Sequence, residues 1–192
     1  MENKMEEISL QRKLEALGQN GTLIRKDGKT FLQLDCENAK ELSMKWGEKL
    51  YPFTKTGKKW ILELPFSTAV NYVQICVDGQ EVLSPELPIA HGYGRPYNYI
   101  ELPDEDGLFE LRDVPHGTLT QEFYKSKISD NWEKLILYLP PCVPSAGLPV
   151  LYLQHGFGES EISWSTTGKV NILMDNLIAA GKIKPFAIVM GN

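Results

Sequence analysis

The 192-residue sequence predicts two domains of different class, an all-β sandwich followed by an α/β domain with a mostly parallel sheet. Two observations carry this prediction. Short alternating strands separated by turns run from about Thr22 to Leu102, and a strand–helix–strand pattern follows in the last part of the chain. A polar, turn-rich stretch from Pro103 to Gly107 separates the two patterns. The expected parts are an N-terminal extension, the sandwich, a linker and the α/β domain, at residues 1–20, 21–103, 104–116 and 117–192.

The first half reads as short strands joined by tight turns. TLIRKDGKTFLQLDC predicts a hairpin around Asp27-Gly28, and NYVQICVDGQEVLS predicts another around Asp78-Gly79, because Asp-Gly pairs favour two-residue hairpin turns. ELSMKWG and KKWILELP add further strands with no helical segment between them. Strands at this spacing favour a β-sandwich of about 80–90 residues.

The N-terminus is predicted to form one amphipathic helix ahead of the sandwich. The helix would run from Glu6 to Leu17, with Ile8, Leu14 and Leu17 as its apolar contacts. The first residues lack a basic segment followed by an apolar core, so no secretory signal is predicted and the cytoplasm is the expected location. A secreted protein trimmed of its signal would have the same sequence.

The composition is that of a folded protein and excludes several functional classes. Hydrophobic residues make up 42% of the chain and charged residues 23%, which argues against disorder. The net charge of −5 argues against a nucleic-acid partner, since such proteins need a basic face. No apolar run approaches the roughly 18–20 residues that span a membrane, so no membrane partner is expected. Three scattered histidines without cysteine or carboxylate at ligand spacing predict no metal site, and no cofactor is expected.

The cysteines are predicted to be free thiols. Cys36, Cys76 and Cys142 are odd in number, far apart and in unlike contexts. Such cysteines are more often small buried residues in a reducing compartment than disulfide partners.

The pattern changes after Leu102. TLTQEFYKS and KLILYLP predict two strands, and LPVLYLQ is apolar enough for a strand buried on both faces. PFAIVMGN predicts another buried strand. Between the last two, VNILMDNLIAAGK predicts a helix that is capped by Gly181 and has one apolar face, consisting of Val170, Leu173, Met174, Leu177 and Ile178. Strand, helix and strand in this order predict a βαβ unit with two parallel strands.

The segment LPVLYLQHGFGESEISW carries the chemistry. Its strand runs into His155-Gly156-Phe157-Gly158, which places backbone N–H groups at the carboxyl end of the strand, where open α/β sheets bind ligands. The glycines allow a tight turn and let a substrate oxygen approach an amide. The segment therefore fits a loop that stabilises an oxyanion. An ordinary strand-to-helix turn with no catalytic role is the alternative.

Several motifs follow one another in a specific order between Asp113 and Asn192. They are VPHG at 114–117, YLPP at 138–141, LPVLYLQHGFG at 148–158, Trp164, and DNLIAAGKIKP at 175–185. In this order the segment resembles the start of the catalytic domain in the feruloyl-esterase and enterochelin-esterase-like branch of the α/β hydrolases. The resemblance implies that the second domain is the first part of an α/β-hydrolase domain, with a truncated, mostly parallel sheet.

The N-terminal half resembles the immunoglobulin-like module that precedes many such esterases and is related to modules of glycogen-branching enzymes. Trp60, the strand and turn from Tyr72 to Gly79, and Pro85 fit that pattern. The resemblance therefore extends over nearly the whole chain and implies an immunoglobulin-like sandwich as the first domain.

The resemblance also assigns roles to residues of the glycine-rich loop. It places the oxyanion-binding amide at Phe157, with Gly158 as the second catalytic position and Gly156 shaping the substrate side of the turn. Trp164 falls where an aromatic residue walls the acyl pocket; packing in the core is its alternative role. The catalytic base of the family lies near the C-terminus, so the resemblance makes His155 a structural residue.

The other two histidines are expected to be structural as well. His116 is predicted to form hydrogen bonds at the domain junction, and His91 to lie in a loop.

The chain contains no G-x-S-x-G motif for a nucleophilic serine. The nearest stretch, GESEI at 158–162, lacks the second glycine. In the order of the family, the serine, the acid and the histidine would all come after Asn192. We therefore expect part of a serine carboxylic-ester hydrolase of feruloyl, acetyl or related type, which supplies the oxyanion loop but is inactive alone. A small ester or an acylated polysaccharide is the expected substrate.

The expected sheet lacks a neighbour on one side of the strand LPVLYLQ, and exposed hydrophobic edges favour association. The missing C-terminal half of the hydrolase domain or a second copy of the chain in a homodimer is the expected partner.

Two further functions remain open. A carbohydrate-binding module would stack sugars on exposed aromatic residues, for which the candidates are Trp46, Trp60, Tyr93, Tyr97 and Tyr99. A purely structural module would position or dimerise the esterase domain, with HGYGRPYNYI at 91–100 as the interdomain contact.

Overall fold

The computed structural model describes residues 6–9, 22–104, 106–143 and 147–192. Over these residues the protein is mostly β, with three sheets and two short helices. The strands are β1 (Glu6–Ser9), β2 (Thr22–Lys26), β3 (Lys29–Asp35), β4 (Leu42–Trp46), β5 (Lys49–Pro52), β6 (Thr54–Thr56), β7 (Lys59–Glu63), β8 (Ala69–Val77), β9 (Gln80–Val82), β10 (Ile89–Gly92), β11 (Arg95–Leu102), β12 (Thr118–Lys125), β13 (Trp132–Leu139), β14 (Val150–Gln154) and β15 (Ala187–Gly191). The helices are α1 (Ser163–Thr166) and α2 (Val170–Ala179).

The chain divides into two compact units. The first comprises the residues up to Ala90 together with Pro96–Leu102. The second comprises His91–Arg95 together with Pro103–Asn192. The segment 91–100 is thus shared between the two units.

The first unit consists of two antiparallel sheets. One has the strand order β1-β2-β3-β7-β6, and the other has the order β10-β11-β8-β4-β5, with β9 paired to β8. Alternate residues of both sheets enter one apolar core, among them Leu32, Trp60, Met44, Ile75 and Ile100. This period of two is what buries one face of each sheet. The all-β prediction for the N-terminal half is confirmed at this level.

The two Asp-Gly turns are confirmed as hairpin turns. Asp27 and Gly28 have φ of 51° and 74° between β2 and β3, and Asp78 and Gly79 have φ of 49° and 79° between β8 and β9. Positive φ at both central positions matches the right-handed twist of the flanking strands.

The N-terminal helix prediction is wrong where the structure describes it. Glu6–Ser9 is the strand β1, which pairs with β2 through Glu6↔Arg25 to Ser9↔Thr22. Because β2 offers an unpaired edge, backbone pairing prevails over the weak helical period of this segment. The rest of the expected helix lies outside the described residues.

Glu86 is a buried carboxylate of the first unit, and its burial predicts how the stability of the protein depends on pH. Its side chain is buried, and both oxygens lie 2.9 Å from the backbone N–H of Asp35. Burial raises its pKa above the ordinary 4.5, against the lowering effect of the Asp35 N–H. Between the two pKa values the folded chain binds more protons than the unfolded chain, so the free energy of unfolding falls as pH rises through this window.

Glu86→Gln keeps an acceptor for the Asp35 N–H and cannot ionise. We expect the variant to lose this part of the pH dependence and to be at least as stable as wild type at neutral pH. Urea denaturation from about pH 4 to pH 8 measures both effects. The exposed Glu48, changed to Gln, is the control. A fall in stability of the same slope in Glu86→Gln would contradict the prediction.

The second unit contains a four-stranded sheet with the order β12-β13-β15-β14. Strands β14 and β15 are parallel and α2 lies between them in sequence, so the predicted βαβ unit is confirmed. Helix α2 covers one sheet face, where Val170 and Met174 pack with Ile136 and Ile188. Gly181 ends the helix at φ +66°, with its N–H on the Ile178 carbonyl and the Lys182 N–H on the Leu177 carbonyl.

Strand β14 differs from its prediction. The apolar run was expected to be buried on both faces, but Val150, Leu151 and Tyr152 are 49%, 42% and 78% exposed. The strand lies at the end of the sheet, with β15 as its neighbour on one side. An edge strand is covered less than an interior one, which accounts for the difference.

The cysteines Cys36, Cys76 and Cys142 are all free, and Cys142 is exposed rather than buried. None of the helices that the structure describes has the length and apolar character needed to cross a bilayer.

Candidate functional site

The glycine-rich loop follows β14 and closes on itself. The Glu159 N–H donates to the Gly156 carbonyl at 3.2 Å, and the Glu159 side chain accepts from the Gly156 N–H at 3.0 Å. His155 Nδ1 also lies 2.7 Å from the Gly156 carbonyl, so this nitrogen carries the proton. These bonds fix the peptide plane that joins Gly156 to Phe157.

Phe157 is at the tip of the loop, and its side chain is 89% exposed. Its carbonyl accepts the Tyr93 N–H at 3.2 Å, and the Gly158 carbonyl accepts the Gly94 N–H at 3.1 Å. Within the described residues the Phe157 N–H has no hydrogen-bond partner. The loop therefore presents a backbone donor whose own peptide plane and the following one are both held by hydrogen bonds, an arrangement that can hold a negatively charged oxygen.

Gly158 has to be a glycine. Its φ is +71°, and a Cβ atom there would lie 2.0 Å from the Gly94 nitrogen and 2.6 Å from the Tyr93 carbonyl carbon. Both obstacles are backbone atoms, which cannot move aside as a flexible side chain would.

Trp164 stands in α1 and links the end of the loop to the strand before it. Its Nε1 donates to the Gln154 carbonyl at 2.8 Å, and 37% of the residue is exposed. It is therefore not a fully packed core residue. A Cβ at Gly168 would come within 2.9 Å of its ring, so Gly168 provides the space that the indole occupies.

The structure brings Gly156, Phe157, Gly158 and Trp164 together in one loop and the helix that follows it. An open groove of about 460 Å³ lies in this unit next to the start of the loop. Its walls include Tyr124, Leu135, Tyr152 and Val189 on the sheet face away from α2. None of the four predicted site residues lines it, but Gln154, which does, directly precedes the loop and accepts from Trp164.

The structure also describes the two histidines outside the glycine-rich loop. His116 lies with Nδ1 3.0 Å from Asp175 Oδ2 and Nε2 3.1 Å from the Arg112 carbonyl, so both of its ring nitrogens are engaged. His91 is an exposed residue of a strand end. Among the residues that the structure describes, no three histidine, cysteine or carboxylate side chains form a group that could hold a metal ion.

Glu161 is a residue of the site loop that the sequence analysis did not single out. Only 2% of it is exposed, and Oε1 lies 2.7 Å from Lys134 Nζ on β13. The other oxygen, Oε2, is buried without a hydrogen-bond partner in the described part of the chain. This ion pair ties the loop to the sheet. Glu161 stands in a polar stretch that is typical of exposed loops, so its burial could not be predicted from the sequence.

Asp175 is the second residue that the sequence analysis missed. It lies on α2, is 2% exposed, and accepts from Tyr138 Oη at 2.6 Å, from the Gly117 N–H at 2.9 Å and from His116. Burial, together with this hydrogen bond, raises the pKa of Tyr138 far above its usual value. A buried acid in the middle of an apolar helix is the sequence signal that could have identified it.

Comparison with known proteins supports the esterase relationship. No protein-family model matches the sequence. An endo-1,4-β-xylanase/feruloyl esterase of Xylanibacter ruminicola is 37% identical over 136 residues, which cover 67% of this chain and 19% of that protein. The chain thus spans about a fifth of the length of this curated relative.

Two solved structures share the fold. The enterobactin esterase of Shigella flexneri superposes with a TM-score of 0.61 at 10% identity, over 96% of this chain and 58% of that one. The ferric enterobactin esterase of Salmonella typhimurium gives a TM-score of 0.57 at 9% identity, over 90% and 56%. At such identities the likeness shows the fold alone. The chain thus resembles the feruloyl-esterase and enterochelin-esterase-like branch of the esterases, as the ordered motifs between Asp113 and Asn192 predict.

Proposed function

We propose that this chain is the part of a serine carboxylic-ester hydrolase that supplies the oxyanion loop. The Phe157 N–H would bind the oxyanion, Gly158 would hold the turn, and Gly156 and Trp164 would border the substrate. The substrate class is a feruloyl or acetyl ester, or a related one, either as a small molecule or on a polysaccharide. The observation that carries the proposal is the Phe157 N–H, which has no partner among the described residues and whose peptide plane is held by hydrogen bonds, in a chain similar to esterases.

The geometry of the loop favours acyl transfer. A tetrahedral intermediate carries its charge on the former carbonyl oxygen, and preorganised backbone N–H groups stabilise that charge without reorganising. The bonds to the carbonyls of Gly156, Phe157 and Gly158 provide this preorganisation.

The same proposal takes the second unit as the first part of an α/β-hydrolase sheet and the first unit as an immunoglobulin-like module. The nucleophile, the acid and the base would come from a further segment, since the sequence has no G-x-S-x-G motif. The exposed edge of β14 and the groove beside Tyr152 are the surfaces that such a segment would cover.

Assays with methyl ferulate and p-nitrophenyl acetate test the proposal. The 192-residue chain alone is expected to show no turnover above background. The protein expressed from the complete reading frame that encodes this chain is expected to hydrolyse at least one of the two esters. Turnover by the chain alone would contradict the proposal that the nucleophile, the acid and the base come from a further segment. If neither protein turns over an ester, the proposed esterase function is wrong.

Carbohydrate binding by the first unit is a second candidate, supported by three tyrosines. Tyr97 and Tyr99 alternate along β11 with the buried Asn98 and Ile100, so they lie on the outward face of the sheet. Tyr72 is paired with Tyr99 across the strands, and its ring centroid is 5.8 Å from that of Tyr97. Aromatic rings grouped on one sheet face can stack against sugars.

Three candidates from the sequence do not contribute to this face. Trp60 is 4% exposed, and its Nε1 donates to the Cys36 carbonyl. Trp46 packs against the core with Phe66, at 5.0 Å between ring centroids. Tyr93 belongs to the second unit.

Calorimetric titration with xylo-oligosaccharides separates this candidate from the first. If the tyrosine face binds sugar, Tyr99→Ala weakens binding at least about tenfold while Tyr124→Ala, in the second unit, leaves it unchanged. Size-exclusion chromatography of the chain, run alongside, reports whether it forms the homodimer that is one of the two partners expected from the sequence.

A further inference from the structure

The turn at His91–Arg95 is joined to the glycine-rich loop through the backbone. Two consecutive N–H groups, of Tyr93 and Gly94, donate to two consecutive carbonyls, of Phe157 and Gly158, at 3.2 and 3.1 Å. All of these residues belong to the second unit. The bonds from Tyr93 and Gly94 hold the two peptide planes after the Phe157 α-carbon, which contain the carbonyls of Phe157 and Gly158. The bonds to the Gly156 carbonyl hold the peptide plane before that α-carbon, which contains the Phe157 N–H. Phe157 is therefore fixed on both sides.

The contact depends on unusual backbone conformations in both segments. Tyr93, Gly94 and Gly158 all have positive φ, of 52°, 77° and 71°. Such conformations are costly for a residue with a side chain, and they persist where surrounding contacts compensate for them. The Gly158 α-carbon approaches the turn so closely that a Cβ would be 2.0 Å from the Gly94 nitrogen.

We infer that the turn His91–Arg95 positions the oxyanion loop, with Tyr93 and Gly94 acting as positioning residues through the carbonyls of Phe157 and Gly158. The inference rests on the proposed function of that loop. Neither residue needs to touch the ester, because each acts on the orientation of the Phe157 N–H. The consequence is a positioning role for a turn more than 60 residues before the loop in the sequence, as the positions of Gly94 and Gly158 show.

The oxyanion forms only during the reaction, so the orientation of the loop affects the energy of the transition state and not the binding of the ester. A loop held in the wrong orientation lowers kcat, whereas the affinity for the uncharged ester changes little. A structural role alone would instead lower the melting temperature without separating kcat from KM.

Gly94→Val tests the inference, with Gly57→Val as the matched control. Both glycines stand in turns at positive φ, 77° and 62°, and a Cβ at either would meet no atom within 4 Å. A β-branched residue is strained at positive φ in both turns, but only Gly94 donates to the loop. Both variants are made in the protein expressed from the complete reading frame. Hydrogen exchange of peptides covering 91–95 and 155–163, the melting temperature, and kcat and KM for methyl ferulate are measured.

The expected result for Gly94→Val is exchange about tenfold faster in 91–95, whose N–H groups make the bonds to the loop. Exchange in 155–163 is expected to rise as well, because the loop loosens and the Gly156 and Glu159 N–H groups lose protection. We expect kcat about 10- to 100-fold lower and KM within about twofold of wild type. Gly57→Val is expected to lower the melting temperature by a similar amount and to leave exchange in 155–163 and kcat unchanged.

Unchanged exchange in 155–163 for Gly94→Val would overturn the inference, and so would faster exchange there with an unchanged kcat. If the wild-type protein hydrolyses no ester but exchange in 155–163 rises in Gly94→Val alone, the proposed function fails, while the control of the loop by the turn stands.

Discussion

Replacing Phe157 by proline is expected to lower kcat for ester hydrolysis by about 10²- to 10³-fold in the protein expressed from the complete reading frame, the cost of removing one oxyanion donor. Proline has no backbone N–H, so the variant lacks the atom to which we assign the oxyanion. The Phe157 carbonyl, which accepts from Tyr93, is retained. Steady-state kinetics with methyl ferulate and p-nitrophenyl acetate measure the effect.

Phe157→Ala is the matched control because it keeps the N–H and removes only the ring. The side chain is 89% exposed, so its loss costs the fold little. We expect the alanine variant to keep kcat within about tenfold of wild type, with any larger change in KM reporting contact between the ring and the substrate. Equal kcat in the proline variant and wild type would refute the oxyanion assignment, and equal losses in both variants would move the role from the amide to the ring.

Replacing Asp175 by alanine is expected to destabilise the second unit by about 3 kcal/mol or more, because it leaves buried donors without an acceptor. Tyr138, which is fully buried, would lose the partner of its hydroxyl, and the Gly117 N–H and His116 would lose theirs. A loss of this size lowers the melting temperature of a unit of this length by more than about 10 °C. Thermal denaturation followed by circular dichroism measures it.

Asp175→Asn separates the hydrogen bonds from the charge. The amide oxygen can still accept from Tyr138 and Gly117, while the amide nitrogen would face His116 Nδ1, which can accept when Nε2 donates to the Arg112 carbonyl. We expect less than half of the alanine effect. If the asparagine variant were as unstable as the alanine variant, the charge rather than the hydrogen-bond acceptors would stabilise this part of the fold.

Features governed by neighbouring residues could be predicted from the sequence. The Asp27-Gly28 and Asp78-Gly79 hairpins need only a turn dipeptide between alternating strands, and the helix end at Gly181 needs only a glycine after an apolar period. The same holds for the βαβ unit, whose parallel strands follow from its order of elements.

Features governed by distant residues could not be predicted in the same way. Strand β1 forms because β2 offers an edge, which no local period of Glu6–Ser9 encodes. Asp175 gains its three donors from segments that lie 37 to 59 residues away. The same applies to the loop. The order of motifs indicated Phe157 and Gly158, whose roles stay a prediction, but nothing near them indicated the turn at Tyr93-Gly94 or the ion pair between the buried Glu161 and the partly exposed Lys134.

The place of β15 in its sheet has a consequence for the order of events during synthesis. Residues 187–191 pair with β13 on one side and with β14 on the other, although both of those strands leave the ribosome earlier. Until β15 emerges, the β12–β13 hairpin and β14 have no strand to join them, and the apolar residues of α2 have only part of their sheet to pack on. The first unit contains its own strand pairings and can condense while the second is still being translated. Nascent chains of this protein should therefore expose apolar residues of the second unit until β15 has been synthesised. We expect a chaperone to bind the nascent chain mainly during this interval.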